Sequence, residues 1–131
     1  RDIKLENVIF SSRKHDTIKL VDFGLSKKAT KNMRTRIGTP YYVSPEVLRG
    51  SLYGLESDLW SLGVTVFFML HGYPPFFGQS ETKLFGKILN CDYEVSQSIS
   101  PEAANFVQGL IKLDPSERTS LEKCLEHKWL K

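Results

Sequence analysis

A chain of 131 residues has the size of one domain, and 40% hydrophobic with 25% charged residues is the composition of a folded globular protein rather than a disordered one. Eighteen basic against fifteen acidic residues give +3, spread over Arg13-Lys14, Lys27-Lys28, Lys31, Arg34 and Arg36 without a long run, which argues against nucleic acid as a partner. The longest apolar stretch, 64–70, is broken by Thr65 and is far shorter than the roughly 20 residues of a membrane span, and Cys91 and Cys124 form no paired-cysteine motif, which excludes a disulfide scaffold or a structural zinc site.

The chain opens on Arg1-Asp2-Ile3-Lys4-Leu5-Glu6-Asn7, an acid, a base and an amide in one short loop. Val8-Ile9-Phe10 and Ile18-Lys19-Leu20-Val21 are short runs rich in β-branched and aromatic residues on either side of a polar stretch, 11–17, and predict a hairpin. Its ends would bring Asn7 beside Asp22 of Asp22-Phe23-Gly24. Residues 24–43 are polar, rich in Lys, Arg and Thr, and without a sustained period, so they read as a long loop, a feature that in compact domains is usually functional or disordered.

Helix starts follow from capping chemistry. Ser44-Pro45-Glu46 and Ser100-Pro101-Glu102 each put a hydroxyl at the N-cap, a proline where its missing N–H is harmless, and an acid at the positive helix end. Ser80-Glu81 opens another helix, and Thr119 with Glu122 predicts a capping box. Residues 57–71 are apolar almost all round and predict a central buried helix, stopped by Gly72 and kept from resuming by Pro74-Pro75. The expected architecture is mainly α: a small β-hairpin, then about five helices near 44, 57–71, 80–90, 101–113 and 120–128. That set is lopsided, since a helix apolar on every face needs partners on every face, and some of its neighbours are expected in a part of the molecule ahead of Arg1.

Taken alone, the spacing from Asp2 to Asn7 is equally that of a solvated turn. Together with Asp22-Phe23-Gly24, with Gly38-Thr39-Pro40-Tyr41-Tyr42-Val43-Ser44-Pro45-Glu46, with Asp58-Leu59-Trp60-Ser61-Leu62-Gly63-Val64 and with Asp114-Pro115-Ser116-Glu117-Arg118, it resembles the C-terminal lobe of a eukaryotic Ser/Thr protein kinase, from the catalytic loop onward. The resemblance covers the whole chain, and implies that 1–131 is a partial kinase domain without its N-terminal lobe. The residue before Arg1 would be the His of the catalytic-loop pattern, and an Arg at position 1 is expected in a piece of a longer polypeptide.

Phosphoryl transfer needs positioning and charge neutralisation more than covalent help. The resemblance implies that Asp2 accepts the proton of the substrate hydroxyl, that Lys4 steadies the γ-phosphate of ATP, and that Asn7 and Asp22 hold Mg²⁺. Lys4 and Thr39 are what the Ser/Thr branch carries. Arg1 beside Asp2 marks the class in which a phosphorylated activation loop, here at Thr35, pairs with a neighbouring arginine. Glu6 would receive a basic residue ahead of the phosphorylated Ser or Thr, and Thr39 would contribute to the substrate site. Glu46 and Arg118 match a buried ion pair, and Asp58 a helix-start carboxylate that accepts from the catalytic loop; Glu46 and Asp58 are also what plain helix-start electrostatics would place there.

The segments 38–48 and 63–76 look most like the calcium/calmodulin-dependent group, especially the calcium-dependent protein kinases, which implies protein substrates and calcium/calmodulin-type regulation through regions outside this chain. No EF-hand loop is among these residues. Three positions depart from the pattern: Leu5 and Lys128 stand where Pro is usual, and Ser44 where Ala is usual. The Gly-rich loop, the strand lysine, its αC glutamate and the adenine-binding hinge are not in these 131 residues, so the chain by itself is expected to transfer no phosphate. A second reading is a non-catalytic half-kinase that binds a partner through residues 73–89, and a third is a half-lobe without a stable fold of its own. The cysteine usage implies a reducing, cytoplasmic setting.

Overall fold

The computed structural model describes residues 2–12, 14, 17–21 and 40–131. Among them are a two-stranded sheet and five α-helices, so the mainly α architecture with a small hairpin is present. Strand β1 (Val8–Phe10) pairs antiparallel with β2 (Ile18–Leu20), with Ile9 opposite Lys19. The ladder continues past the strands, because Val21 N–H donates to Asn7 O at 2.9 Å. Asn7 closes a 3-10 turn (Leu5–Asn7), so the hairpin fixes the end of the opening loop.

After a 3-10 turn at Pro40–Tyr42 come α1 (Pro45–Leu48), α2 (Leu55–His71), α3 (Glu81–Leu89), α4 (Pro101–Leu110) and α5 (Leu121–Leu125). Ser80 and Ser100 cap α3 and α4 as expected, accepting from Lys83 N–H and Ala103 N–H. Gly72 ends α2 in the left-handed conformation, φ 77°, with its N–H on Phe68 O at 2.8 Å.

Three details differ from the sequence reading. Ser44 occupies the N-cap of α1 but its hydroxyl makes no capping bond, and the helix is a single turn. Helix α5 is capped by Ser120, which accepts from Lys123 N–H, rather than by Thr119. Thr119 is taken up by α4: its N–H donates to Gly109 O at 2.8 Å, and its hydroxyl lies where a side chain on Gly109 would stand. Helix α4 stops at Leu110 and not near 113, because Ile111 turns out of the helix at ψ 78° and its carbonyl accepts from Tyr93 Oη at 3.4 Å.

The apolar run 57–71 is explained by two cores on one helix. Trp60, Val64 and Phe67 of α2 pack with Phe76, Leu84, Ile88, Val107 and Ile111, while Leu59 packs with Phe106, Leu110 and Cys124. Trp60 stacks on Phe76 with ring centroids 5.4 Å apart. Helices α2 and α4 meet at Gly63, where an added Cβ would lie 2.8 Å from both Leu110 Cβ and Ile111 Cγ1. No helix among the described residues is long and apolar enough to cross a membrane.

The close approach at Gly63 gives a test in which helix propensity and packing oppose each other. In Gly63→Ala the propensity gain of about 1 kcal/mol is outweighed by the forced separation of α2 and α4, and the net loss is about 1–2 kcal/mol by urea unfolding. A variant as stable as the parent would mean that the two helices part without strain.

Candidate active site

The opening loop gathers three of the predicted residues. Asn7 is buried, 6% exposed, and its amide nitrogen donates to the Asp2 carbonyl at 2.8 Å and to Asp2 Oδ2 at 3.1 Å. Lys4 Nζ sits 2.9 Å from the same Oδ2. Both donors converge on one carboxylate oxygen, so Oδ1 is the oxygen they leave for another partner. The planar amide that puts its nitrogen on Asp2 turns its carbonyl oxygen away, and a neutral hard oxygen of that kind suits a divalent cation. Arg1, Asp22, Thr35 and Thr39 lie outside the described residues.

Glu6 is exposed and its Oε2 accepts from Tyr42 Oη at 3.0 Å. The same hydroxyl accepts from Leu5 N–H at 3.3 Å. Burial of the Tyr42 phenol, only partly offset by the Leu5 N–H and reinforced by the bond to Glu6 and its charge, pushes its pKa up to about 12, so it stays protonated and donating. Asp58, in the first turn of α2, accepts from Tyr53 Oη; burial and then the Asp58 bond raise the Tyr53 pKa, with a further contribution from the charge of Asp2.

Behind these residues, Arg118 and Glu46 form the pair that the motifs predict, 72 residues apart in sequence. The contact is a two-pronged fork, Nη1 to Oε1 and Nη2 to Oε2, each 2.8 Å. Arg118 also donates to the carbonyls of Glu56 at 2.6 Å and Lys112 at 3.1 Å, and its guanidinium lies 5.1 Å from the centre of the Trp60 ring. Ser57 Oγ donates to Glu46 Oε1 at 3.0 Å. Burial is the largest single influence and raises the Glu46 pKa, but the Arg118 fork, the backbone N–H of Glu46 and the Arg118 charge together outweigh it and hold the carboxyl at about 2.

Tyr42 and Tyr53 are site residues that motif reading missed. Both lie in or beside quoted motifs, yet a tyrosine there is equally a core aromatic, and only the fold shows which atom its hydroxyl meets.

The model of the protein kinase domain family matches residues 1–130. A probable myosin light chain kinase of Dictyostelium discoideum is 42% identical over 137 residues, covering 99% of this chain and 39% of that protein. Myosin light chain kinase A of the same organism is 41% identical, covering all of this chain and 47% of that protein. Calcium/calmodulin-dependent protein kinase type 1B of Rattus norvegicus is 40% identical, covering 99% of this chain and 40% of that protein. The chain therefore spans less than half the length of these relatives.

Replacing one member of the Arg118–Glu46 pair strands the other in the interior. Arg118→Ala is expected to lose about 3–5 kcal/mol of stability in urea unfolding, with Glu46→Gln losing less because its amide keeps one acceptor. The depressed Glu46 value also sets an acid limb. The unfolded carboxyl, near its ordinary 4.5, takes up a proton before the folded one at about 2, so the contribution is full above 4.5 and disappears as pH falls toward 2. Stability measured across that window should fall less steeply in Glu46→Gln, and parallel curves would rule the assignment out.

Proposed function

Because the chain belongs to the protein kinase domain family, we propose that the protein carrying it is a Ser/Thr protein kinase that transfers the γ-phosphoryl group of ATP to Ser or Thr hydroxyls of protein substrates. The observation that carries this reading is the Asp2, Lys4 and Asn7 cluster, in which an amide and an ammonium share one oxygen of the Asp2 carboxylate. The other oxygen, Oδ1, is then oriented to accept the proton of the substrate hydroxyl as that oxygen bonds to the γ-phosphorus and the β–γ bridging oxygen leaves with ADP. Lys4 keeps further N–H donors beyond the one on Asp2, and these suit a phosphate oxygen.

Mg²⁺, when bound, neutralises the charge of the phosphates. Asn7 through its carbonyl oxygen and Asp22 through its carboxylate would hold it, an all-oxygen donor set of the kind this ion takes. Thr35 is the proposed activation-loop phosphosite with Arg1 its pairing residue, Thr39 contributes to the substrate site, and Asp58 supports the catalytic loop. Glu6, an exposed carboxylate four residues after Asp2 in the same loop, is the proposed acceptor for a basic residue ahead of the phosphorylated hydroxyl. A relative named as a calcium/calmodulin-dependent protein kinase supports calcium/calmodulin-type regulation. The chain is proposed to be the C-terminal lobe of a kinase domain, with the adenine-binding lobe supplied by the rest of the protein. The ordered Asp2 cluster favours this over a non-catalytic half-kinase, which needs no oriented carboxylate.

In the kinase that carries this chain, Asp2→Asn should lower kcat on a Ser peptide by about 10²–10⁴-fold, read as transfer of labelled γ-phosphate. A rate equal to that of the parent enzyme would remove Asp2 from the reaction and the reading with it.

A further inference from the structure

Tyr42 ties the catalytic loop to the core through contacts that the transfer step does not require. Its backbone carbonyl accepts from Ser61 Oγ at 3.0 Å, and Ser61 is a buried residue of α2 that also bonds back to Ser57 O. Its ring packs against the larger core cluster. The side chain is thus a short, stiff arm anchored on the central helix, with the hydroxyl delivered to the opening loop. Leu5 N–H takes a lone pair of that hydroxyl, and the O–H is directed at Glu6 Oε2. The Leu5 end of this arrangement belongs to the residue itself, because a proline at position 5 would have no N–H to give.

An exposed glutamate ordinarily spreads over many rotamers, and capturing a cation from that ensemble loses side-chain entropy. With Oε2 held by Tyr42, the carboxylate is already oriented, and Oε1 faces no such restraint. Carboxylate on one side and guanidinium on the other make the pairing that is strongest when the geometry is set in advance.

We propose that Tyr42, itself oriented by Leu5 N–H, is a positioning residue that holds the Glu6 carboxylate ready for the guanidinium of an arginine-containing substrate peptide, and so sets the selectivity for that arginine. The inference rests on the kinase reading above. Tyr42 acts through Glu6 and touches neither the peptide nor the phosphate.

The test uses the full-length kinase and pairs of peptides that differ only by Arg or Ala at one position ahead of the acceptor Ser, with each upstream position tried in turn. The readout is the ratio of kcat/KM for the Arg peptide to that for the Ala peptide, which a purely structural role leaves unchanged because both substrates then suffer alike. The parent enzyme should prefer one Arg peptide. Tyr42→Phe should lower that ratio about 3- to 10-fold, the range of one ordinary net hydrogen bond, and Leu5→Pro, which leaves the bond to Glu6 in place, should lower it about 2-fold. In a Glu6→Gln background the ratio should collapse, and adding Tyr42→Phe should change it no further. An unaltered ratio in Tyr42→Phe, or equal losses for both peptides, overturns the inference while leaving the kinase reading intact. Equal use of every Arg and Ala peptide by the parent enzyme also overturns it. A parent enzyme that phosphorylates no peptide overturns the kinase reading, and the inference falls with it.

Discussion

A buried guanidinium must find acceptors in several directions at once, and Arg118 finds them only because three stretches of chain, α1, α2 and the segment after α4, converge on it. The carboxylate comes from α1, one carbonyl from the first turn of α2, a second carbonyl from the segment after α4, and an aromatic face from Trp60. Two of those stretches are short of local reasons to be where they are. Helix α1 is a single turn without a side-chain cap, and residues 111–118 contain only a 3-10 turn (Pro115–Glu117). A charge that cannot be left unpaired in the interior supplies the missing constraint, and it ties two marginal local conformations to the central helix in one arrangement.

The position of the opening loop follows from that arrangement by way of α2. Helix α2 carries both cores, and it also carries the groups that reach forward to the loop: Ser61 holds the backbone of Tyr42, Asp58 holds Tyr53, and Ser57 supports Glu46. Tyr42 in turn meets Leu5 and Glu6. The loop's own bonds, Asn7 and Lys4 on Asp2, orient the carboxylate locally. Local bonds set the direction of the Asp2 carboxylate, and the α2 framework sets its place. The proposed transfer would need both, because proton transfer from a bound hydroxyl tolerates little error in distance or angle.

Much of the fold was legible because its signals are local. The hairpin follows from two short β-forming runs around a polar stretch, and the register that sets Val8 opposite Leu20 needs no distant partner. The caps at Ser80 and Ser100 follow from a hydroxyl followed by helix-forming residues, and the end of α2 from a glycine that can take a positive φ. The misread cap at residue 119 has a tertiary cause: Thr119 is in close contact with Gly109 on α4, and the next residue, Ser120, caps α5 instead. The end of α4 was misplaced for a similar reason, since nothing local to residues 101–113 says that Ile111 will give its carbonyl to Tyr93.

At the candidate site the division is the same. Asp2, Lys4 and Asn7 were legible from their order along one short loop, and Glu46 and Arg118 from the motifs that hold them. What those residues do to one another was decided by the tertiary structure: that Lys4 and Asn7 share one oxygen of Asp2, that Arg118 fills a fork on Glu46, and that Tyr42 bridges Leu5 and Glu6. The physical reason is range. Backbone propensity, capping and hydrophobic period act over a few neighbouring residues and are written in their order, whereas the orientation of a side-chain hydroxyl or carboxylate depends on atoms brought within about 3 Å from anywhere in the chain, and that is a property of the folded packing alone.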